Sequence, residues 1–432
     1  MKKKGSGFDL PIAVAILAAI GIIKRERLEE TMFVGELSLD GHINRCDGIL
    51  PMALMAREEQ FRTMIIPADN AFEGAVVDGI CICGVRTLKE LILRLNQNDL
   101  SDVQHICLEE ELNRAYHEGG IDFAEIQGQE RAKRATRIAV AGFHNLLYIG
   151  PPGSGKSMMA KRIPTILGRL SQQECLEISK IYSVMGMLEG QSLILTRPYR
   201  APHHSITGPA LIGGMGNPRP GEITLAHKGV LFLDEAAEFK KDVIEQLRQP
   251  LEDKQIVISR MSGKTVFPAD FMLVLASNPC PCGKYPSSSC TCSQIQINRY
   301  LSKLKGPILD RIDICTGTSA LEPGELNGRV GETSEQIRSQ VLRAQNIQTE
   351  RFDGSEVRFN SQMTKKEIDV FCRISPKDRE LLDRAYKQYQ MSARGYYKIL
   401  KVARTIADLE DSPGIERPHL MEAIGYRNTY DY

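Results

Sequence analysis

The sequence predicts an α/β chain: a phosphate-loop core on a parallel sheet, a helical lid behind it and an α+β unit in front. Three observations predict it. Gly150, Pro151, Pro152, Gly153, Ser154, Gly155, Lys156 and Ser157 match G-x-x-x-x-G-K-[ST] at every fixed position, between the apolar run Leu146 to Ile149 and a helical stretch, Met158 to Leu170. Two further apolar runs end in polar residues: Val230 to Leu233 before Asp234-Glu235, and Phe271 to Ser277 before Asn278, the signature of strands buried on both faces. From about residue 336 the pattern turns helical, with candidate helices Ser334 to Arg351, Lys365 to Ile374, Pro376 to Tyr389, Ala393 to Leu409 and Pro418 to Ala423.

The 432 residues are 42% hydrophobic and 25% charged, with no Trp, which excludes a disordered chain or a repeat array. A formal charge of +1 excludes bulk attraction to nucleic acid, so any such surface must be local. Eleven cysteines beside a nucleotide motif fit a reducing compartment, and the expected location is cytoplasmic. Met1-Lys2-Lys3-Lys4 and the apolar run Leu10 to Ile23 imitate a signal peptide, but Asp9 and Pro11 interrupt the run and no small-residue cleavage site follows. The run is shorter than the about 20 residues that span a bilayer, so a buried helix and no membrane partner are expected.

In order, residues 1–98 form the front unit, with helices at Pro51 to Gln60 and Leu88 to Leu95 and strands at Phe33 to Gly41, Met64 to Pro67 and Ile80 to Val85. Residues 99–122 carry seven acids against Arg114 and read either as an acidic linker holding one helix, Leu108 to Tyr116, or as a charged face packed on a neighbour. Residues 123–320 form the core, with a Gly/Pro-rich insert at 197–229 and a four-cysteine loop at 280–292. A linker at 321–335 leads to the lid, 336–432.

Each motif has its chemistry. The glycines let backbone N–H groups face a polyphosphate, Lys156 adds a point charge, and Ser157 with Asp234 can hold Mg2+. Glu235 can polarise the attacking water, and Asn278 either orients that water or caps the turn before Pro279. Cys280, Cys282, Cys290 and Cys292 make either a tetrahedral structural Zn2+ site or free thiols. Arg197, Arg200, Arg219 and Lys228 give the insert local positive charge for phosphate contacts. His203 and His204, as adjacent residues, should diverge and pack the loop rather than bind metal. Residues 384–404 hold six Lys or Arg and no acid, either a phosphate-facing helix or a solvated face.

The stretches Lys4 to Pro11 and Gly35 to Gly41 resemble the Lon-protease-type domain at the front of the ComM/YifB family of magnesium-chelatase-like AAA+ ATPases. The resemblance extends along essentially the whole chain, lacking a front segment, so the front unit is expected to be shortened. The Lon serine would fall near Gly7 and its lysine near Leu50 to Met52, so no peptidase is expected. Phe123 to Gln129 resembles the segment over the adenine, and the insert matches in position one that lines the pore. Leu309-Asp310-Arg311-Ile312-Asp313 resembles the L-D-R-F-D stretch of magnesium chelatases and MCM helicases. That makes Arg311 an arginine finger acting across a subunit interface, where the residues alone offer an Arg–Asp surface pair. Met391 to Gly395 resembles the second sensor, giving Arg394 a γ-phosphate contact in cis or in trans. The family resemblance implies ATP and Mg2+, a homo-hexamer and DNA, single-stranded or branched. It implies a branch-migration helicase in homologous recombination and natural transformation. The rival is a magnesium-chelatase subunit driving metal insertion into a tetrapyrrole, which shares core and lid.

Overall fold

The computed structural model describes residues 7–100, 106–117, 120–188, 191–214, 219–260, 263–304, 308–320 and 331–427. The basic head and Ser6, parts of the acidic linker and of the insert's glycine run, and most of the 321–335 linker lie outside them. The chain divides into two compact units: Met1–Glu118 with Arg169–Thr196, and Gly119–Gly168 with Arg197–Tyr432.

The first unit holds a parallel sheet of Thr31–Phe33, Thr63–Pro67 and Cys81–Val85, in that order, and a small antiparallel pair, Glu36–Leu37 with Ile43–Asn44. Leu10 to Ile23 is not wholly buried. The helix there is Asp9–Ala19, and it buries Leu10, Val14 and Ala18 while Ile12 and Ile16 remain exposed. Leu50, where the Lon lysine was sought, is a fully buried residue of helix Ile49–Glu58.

The sequence boundaries put residues 169–196 in the core, yet they pack with the front unit. Helix Gln172–Val184 brings the Ser183 hydroxyl to buried Glu73, whose carboxylate also accepts from Leu50 N at 2.9 Å and Asn70 Nδ2 at 3.0 Å. Gly48 N donates to Ser183 O at 3.0 Å. A buried carboxylate is stable only with such donors around it. The helix is therefore part of the front unit's polar core.

The second unit is built on a five-stranded parallel sheet. Its strands are β1 (Leu146–Ile149), β2 (Tyr199–Arg200), β3 (Val230–Leu233), β4 (Met272–Ser277) and β5 (Ile314–Gly317). They lie in the order β5-β1-β4-β3-β2. Register aligns Leu146 with Val274 and Ile314, so the strand ends are level.

Alternation sorts side chains to two cores. Leu146, Tyr148, Phe232 and Val274 join helix Glu130–Gly142 and the lid on one face. Leu147, Ile149, Leu231, Leu233 and Leu275 join Phe239, Val243 and Leu247 on the other. Both faces are covered, which is why the strands read as unbroken apolar runs.

The lid comprises helices Ser334–Arg351, Lys365–Phe371, Pro376–Gln388, Ala393–Leu409 and Arg417–Gly425. Thr333 caps the first through a reciprocal box with Gln336, and Ser392 accepts from Gly395 N to open the fourth.

The basic run 384–404 is not simply a solvated face, because at least half of its cations are engaged internally. Lys398 pairs with buried Asp313 at 2.6 Å, Lys401 donates to Ser361 O at 2.8 Å, and Arg404 pairs with buried Asp408 at 3.0 Å. Arg351 and Asn360 complete the ring around Asp408. Burial alone would raise the Asp313 pKa, but Lys398 and His144 outweigh it and hold that carboxyl below its usual range.

Candidate nucleotide site

The phosphate loop leaves the C-terminal end of β1 and enters helix Lys156–Ile166. Gly155 takes φ +84, which lets the backbone turn into that helix. Gly150 is required for another reason: a Cβ there would lie 2.0 Å from Thr318 Oγ1. Thr318 also bonds the Ser154 hydroxyl at 2.7 Å, pinning the loop to the strand after which it follows. Sequence reasoning missed Thr318 because no motif includes it. It follows the short strand Ile314–Gly317, whose sequence carries no motif that marks it.

Lys156 Nζ donates to the carbonyls of Gly150 and Pro151, both at 2.7 Å, and lies 3.4 Å from Asn278 Oδ1. Burial lowers the Lys156 pKa, while Asp234 and Glu235 pull it back up. The Ser157 hydroxyl donates to Asp234 Oδ2 at 2.5 Å, and Asp234 Oδ1 accepts from Glu235 N at 2.9 Å. The edge formed by the C-terminal ends of β1, β3 and β4 thus gathers Lys156, Ser157, Asp234 and Asn278.

A neighbouring hydroxyl and carboxylate are the hard oxygen donors that Mg2+ prefers, so Ser157 and Asp234 fit the ion. When bound, it would neutralise phosphate charge.

Glu235 sits at φ +50, ψ 44, a left-handed conformation that costs a non-glycine residue about 1–2 kcal/mol. Its Oε2 lies 3.4 Å from His204 Nδ1. The two histidines do not diverge: their rings are 4.0 Å apart and tilted by 35°, and His204 also meets Phe239 edge-on at 6.4 Å. Through His204 the tilted pair brings the insert against the Glu235 carboxylate.

Three of the four insert cations are engaged within the fold, contrary to the phosphate-contact reading. Arg200 forks onto Glu222 at 2.7 and 2.8 Å, Lys228 pairs with Asp270 at 2.8 Å, and Arg197 donates to the carbonyls of Gly168 and Lys228. Arg219 is exposed.

Arg311 and Arg394 occupy the opposite edge of the sheet. Asn145, which precedes β1, donates from Nδ2 to Arg311 O at 2.9 Å and accepts at Oδ1 from Leu273 N at 2.9 Å. This fixes Arg311 at the N-terminal strand ends, about 13 Å of strand away from its own phosphate loop. The buried Arg311 guanidinium meets Glu252 Oε1 at 2.5 Å, and the exposed Arg394 meets the same oxygen at 3.2 Å. Arg311 is therefore not a surface Arg–Asp pair. The two arginines border one cleft of 520 Å³, shared with Asp310, Asp313, Lys254 and Lys398.

A phosphate loop after the first strand, an Asp-Glu pair after the third and a helical lid together define a P-loop nucleotide-binding protein of the magnesium-chelatase-like AAA+ class. Three family models match: magnesium chelatase, subunit ChlI, over residues 122–326; its C-terminal part over 331–427; and a further ChlI model over 1–70. Competence protein ComM of Haemophilus influenzae is 42% identical over 430 residues, covering 99% of this chain and 83% of that one. YifB of Escherichia coli K12 is 37% identical over 438 residues, with 99% and 83% covered. The chain belongs to the ComM/YifB family. Among the described residues no helix is long and apolar enough to cross a membrane.

Proposed function

We propose that this chain is the ATP-hydrolysing subunit of a homo-hexameric ring motor that moves on DNA and drives branch migration during homologous recombination and DNA uptake. The observation that carries the ring is the position of Arg311 and Arg394: both lie at the sheet edge opposite their own Lys156 and Asp234. A cation there serves a phosphate only on an adjoining subunit. Both arginines are then trans elements, and Glu252 holds them until a phosphate competes.

In this reading Lys156 leaves its loop carbonyls for the β and γ phosphates, Asn278 orients the lytic water, and Glu235 polarises it. His204 is a positioning residue that links the insert to Glu235. The competence name of the Haemophilus influenzae relative supports the DNA-uptake setting. The front unit is proposed to be a Lon-like domain without peptidase chemistry, since Gly7 and Leu50 stand where a serine and a lysine would be needed.

The test is ATP turnover with no polymer, with single-stranded DNA and with forked DNA, alongside mass measurement in the presence of a slowly hydrolysed ATP analogue. A hexamer and DNA-stimulated turnover are expected. A monomer that hydrolyses nothing with DNA present sinks the reading, and stimulation by a tetrapyrrole instead of DNA would transfer it to the chelatase class.

A further inference from the structure

The loop after β4 contains Cys280, Cys282, Cys290 and Cys292, and their four Sγ atoms all lie within 4.8 Å of one another. Three of the separations are 3.4, 3.5 and 3.8 Å. A tetrahedral zinc with Zn–S bonds of about 2.3 Å requires sulfur–sulfur edges of about 3.8 Å, so the thiols already stand near the corners of that tetrahedron. No pair is joined, and all four are free thiols.

The rest of the loop cannot account for this convergence. Among residues 281–292 only Gly283 is buried, and there is no helix or strand, so apolar burial supplies almost nothing to offset the entropy of ordering them.

The loop also touches the nucleotide site. Gly283 turns at φ +75, donates to Cys280 O at 2.9 Å, and faces Pro152 of the phosphate loop. A Cβ there would lie 2.5 Å from Pro152 Cδ and 2.8 Å from Cγ.

We propose that Cys280, Cys282, Cys290 and Cys292 bind one Zn2+ as a tetrathiolate site, and that the resulting knuckle braces the phosphate loop through the contact of Gly283 with Pro152. The metal is structural: four protein ligands leave no open position for a water. Its effect on nucleotide is indirect, by holding Pro152 and the loop carbonyls where Lys156 can exchange them for phosphate.

The experiment uses the full chain without an affinity tag, purified under reducing conditions and reconstituted with Zn2+. Elemental analysis should give about one zinc per chain, and replacement by Co2+ should produce the intense near-ultraviolet thiolate charge-transfer band of a tetrahedral sulfur site. Joint Cys290→Ser and Cys292→Ser substitution should abolish the stoichiometric metal and weaken binding of a fluorescent ATP analogue on the order of tenfold. Gly283→Ala keeps every thiol, so it should keep the zinc and the Co2+ spectrum while weakening nucleotide to a similar extent. Reconstituted protein without stoichiometric zinc or the Co2+ band overturns the site. Stoichiometric zinc in the unsubstituted chain, together with unchanged nucleotide affinity in both variants, overturns the brace. None of these readouts needs DNA or a ring, so their failure is distinct from failure of the motor reading.

Discussion

At the C-terminal edge of the central sheet, Lys156 meets Asn278 and Ser157 meets Asp234, and each lies directly after an apolar run or in the loop and helix that follow one. At the N-terminal edge, Arg311 and Arg394 meet on Glu252, and the three come from distant parts of the chain with no shared pattern. The first edge holds Lys156, the Ser157 hydroxyl and the carboxylates of Asp234 and Glu235. The second has two arginines and no phosphate loop. Four residues of β-strand keep them apart, and in the proposed ring it is assembly that would join them.

The sharpest break of that comparison is at the loop. Lys156→Ala should abolish ATP binding measured by calorimetry, whereas Glu235→Gln should bind ATP and lose about 10²- to 10⁴-fold in turnover. Full turnover in either would remove the C-terminal edge from the chemistry.

The opposite edge is tested by Arg311→Ala, which should cost about 10³-fold in turnover with nucleotide binding largely kept. Mixed with Glu235→Gln subunits, it should regain some hydrolysis, because certain interfaces then pair an intact Glu235 with an intact Arg311. No recovery at any ratio would point to another arginine.

A smaller effect separates the edges by pH. His144, fully buried beside Asp313 and bonded to Thr405 at 2.8 Å, has its pKa lowered by burial, which outweighs the pull of Asp313. The unfolded chain then binds the extra proton first. Stability should fall as pH drops below about 6.5, by up to about 1.4 kcal/mol per unit, and denaturant melts of His144→Gln should lack that slope.

Glu252→Gln should change least. Its carboxylate is 46% exposed, so solvent screening limits the loss to about 1 kcal/mol in denaturant melts, despite the buried partner. ATP turnover should shift only a few-fold. A loss as large as that of Arg311→Ala would make Glu252 part of the reaction rather than a holder of the arginines.

Several elements were legible because their signals are local. Ser334–Arg351 and Ala393–Leu409 begin at the residues that Thr333 and Ser392 cap, and β1, β3 and β4 match their apolar runs to within a residue. Others were not legible. Helix Gln172–Val184 carries nothing that says its Ser183 belongs with Glu73, a hundred residues earlier. The antiparallel pair Gln255–Arg260 and Gly263–Pro268 lies between the motifs, and only the three-residue apolar run Ile256 to Ile258 marks it. Lys398, Lys401 and Arg404 looked like a basic face because their partners lie elsewhere in the chain.

The sequence by itself determined the phosphate loop, the carboxylates at the strand tip and the four thiols in two close pairs, since each depends on neighbours a few residues apart and on backbone geometry that glycine and apolar runs encode locally. Only the tertiary structure decided that both arginines lie at the sheet edge opposite their own phosphate loop, that His204 of the insert approaches Glu235, and that Gly283 of the cysteine loop faces Pro152. Those are contacts across tens to hundreds of residues, and pairing at that range is selected by how the sheet and its covering helices pack, not by any interval in the chain.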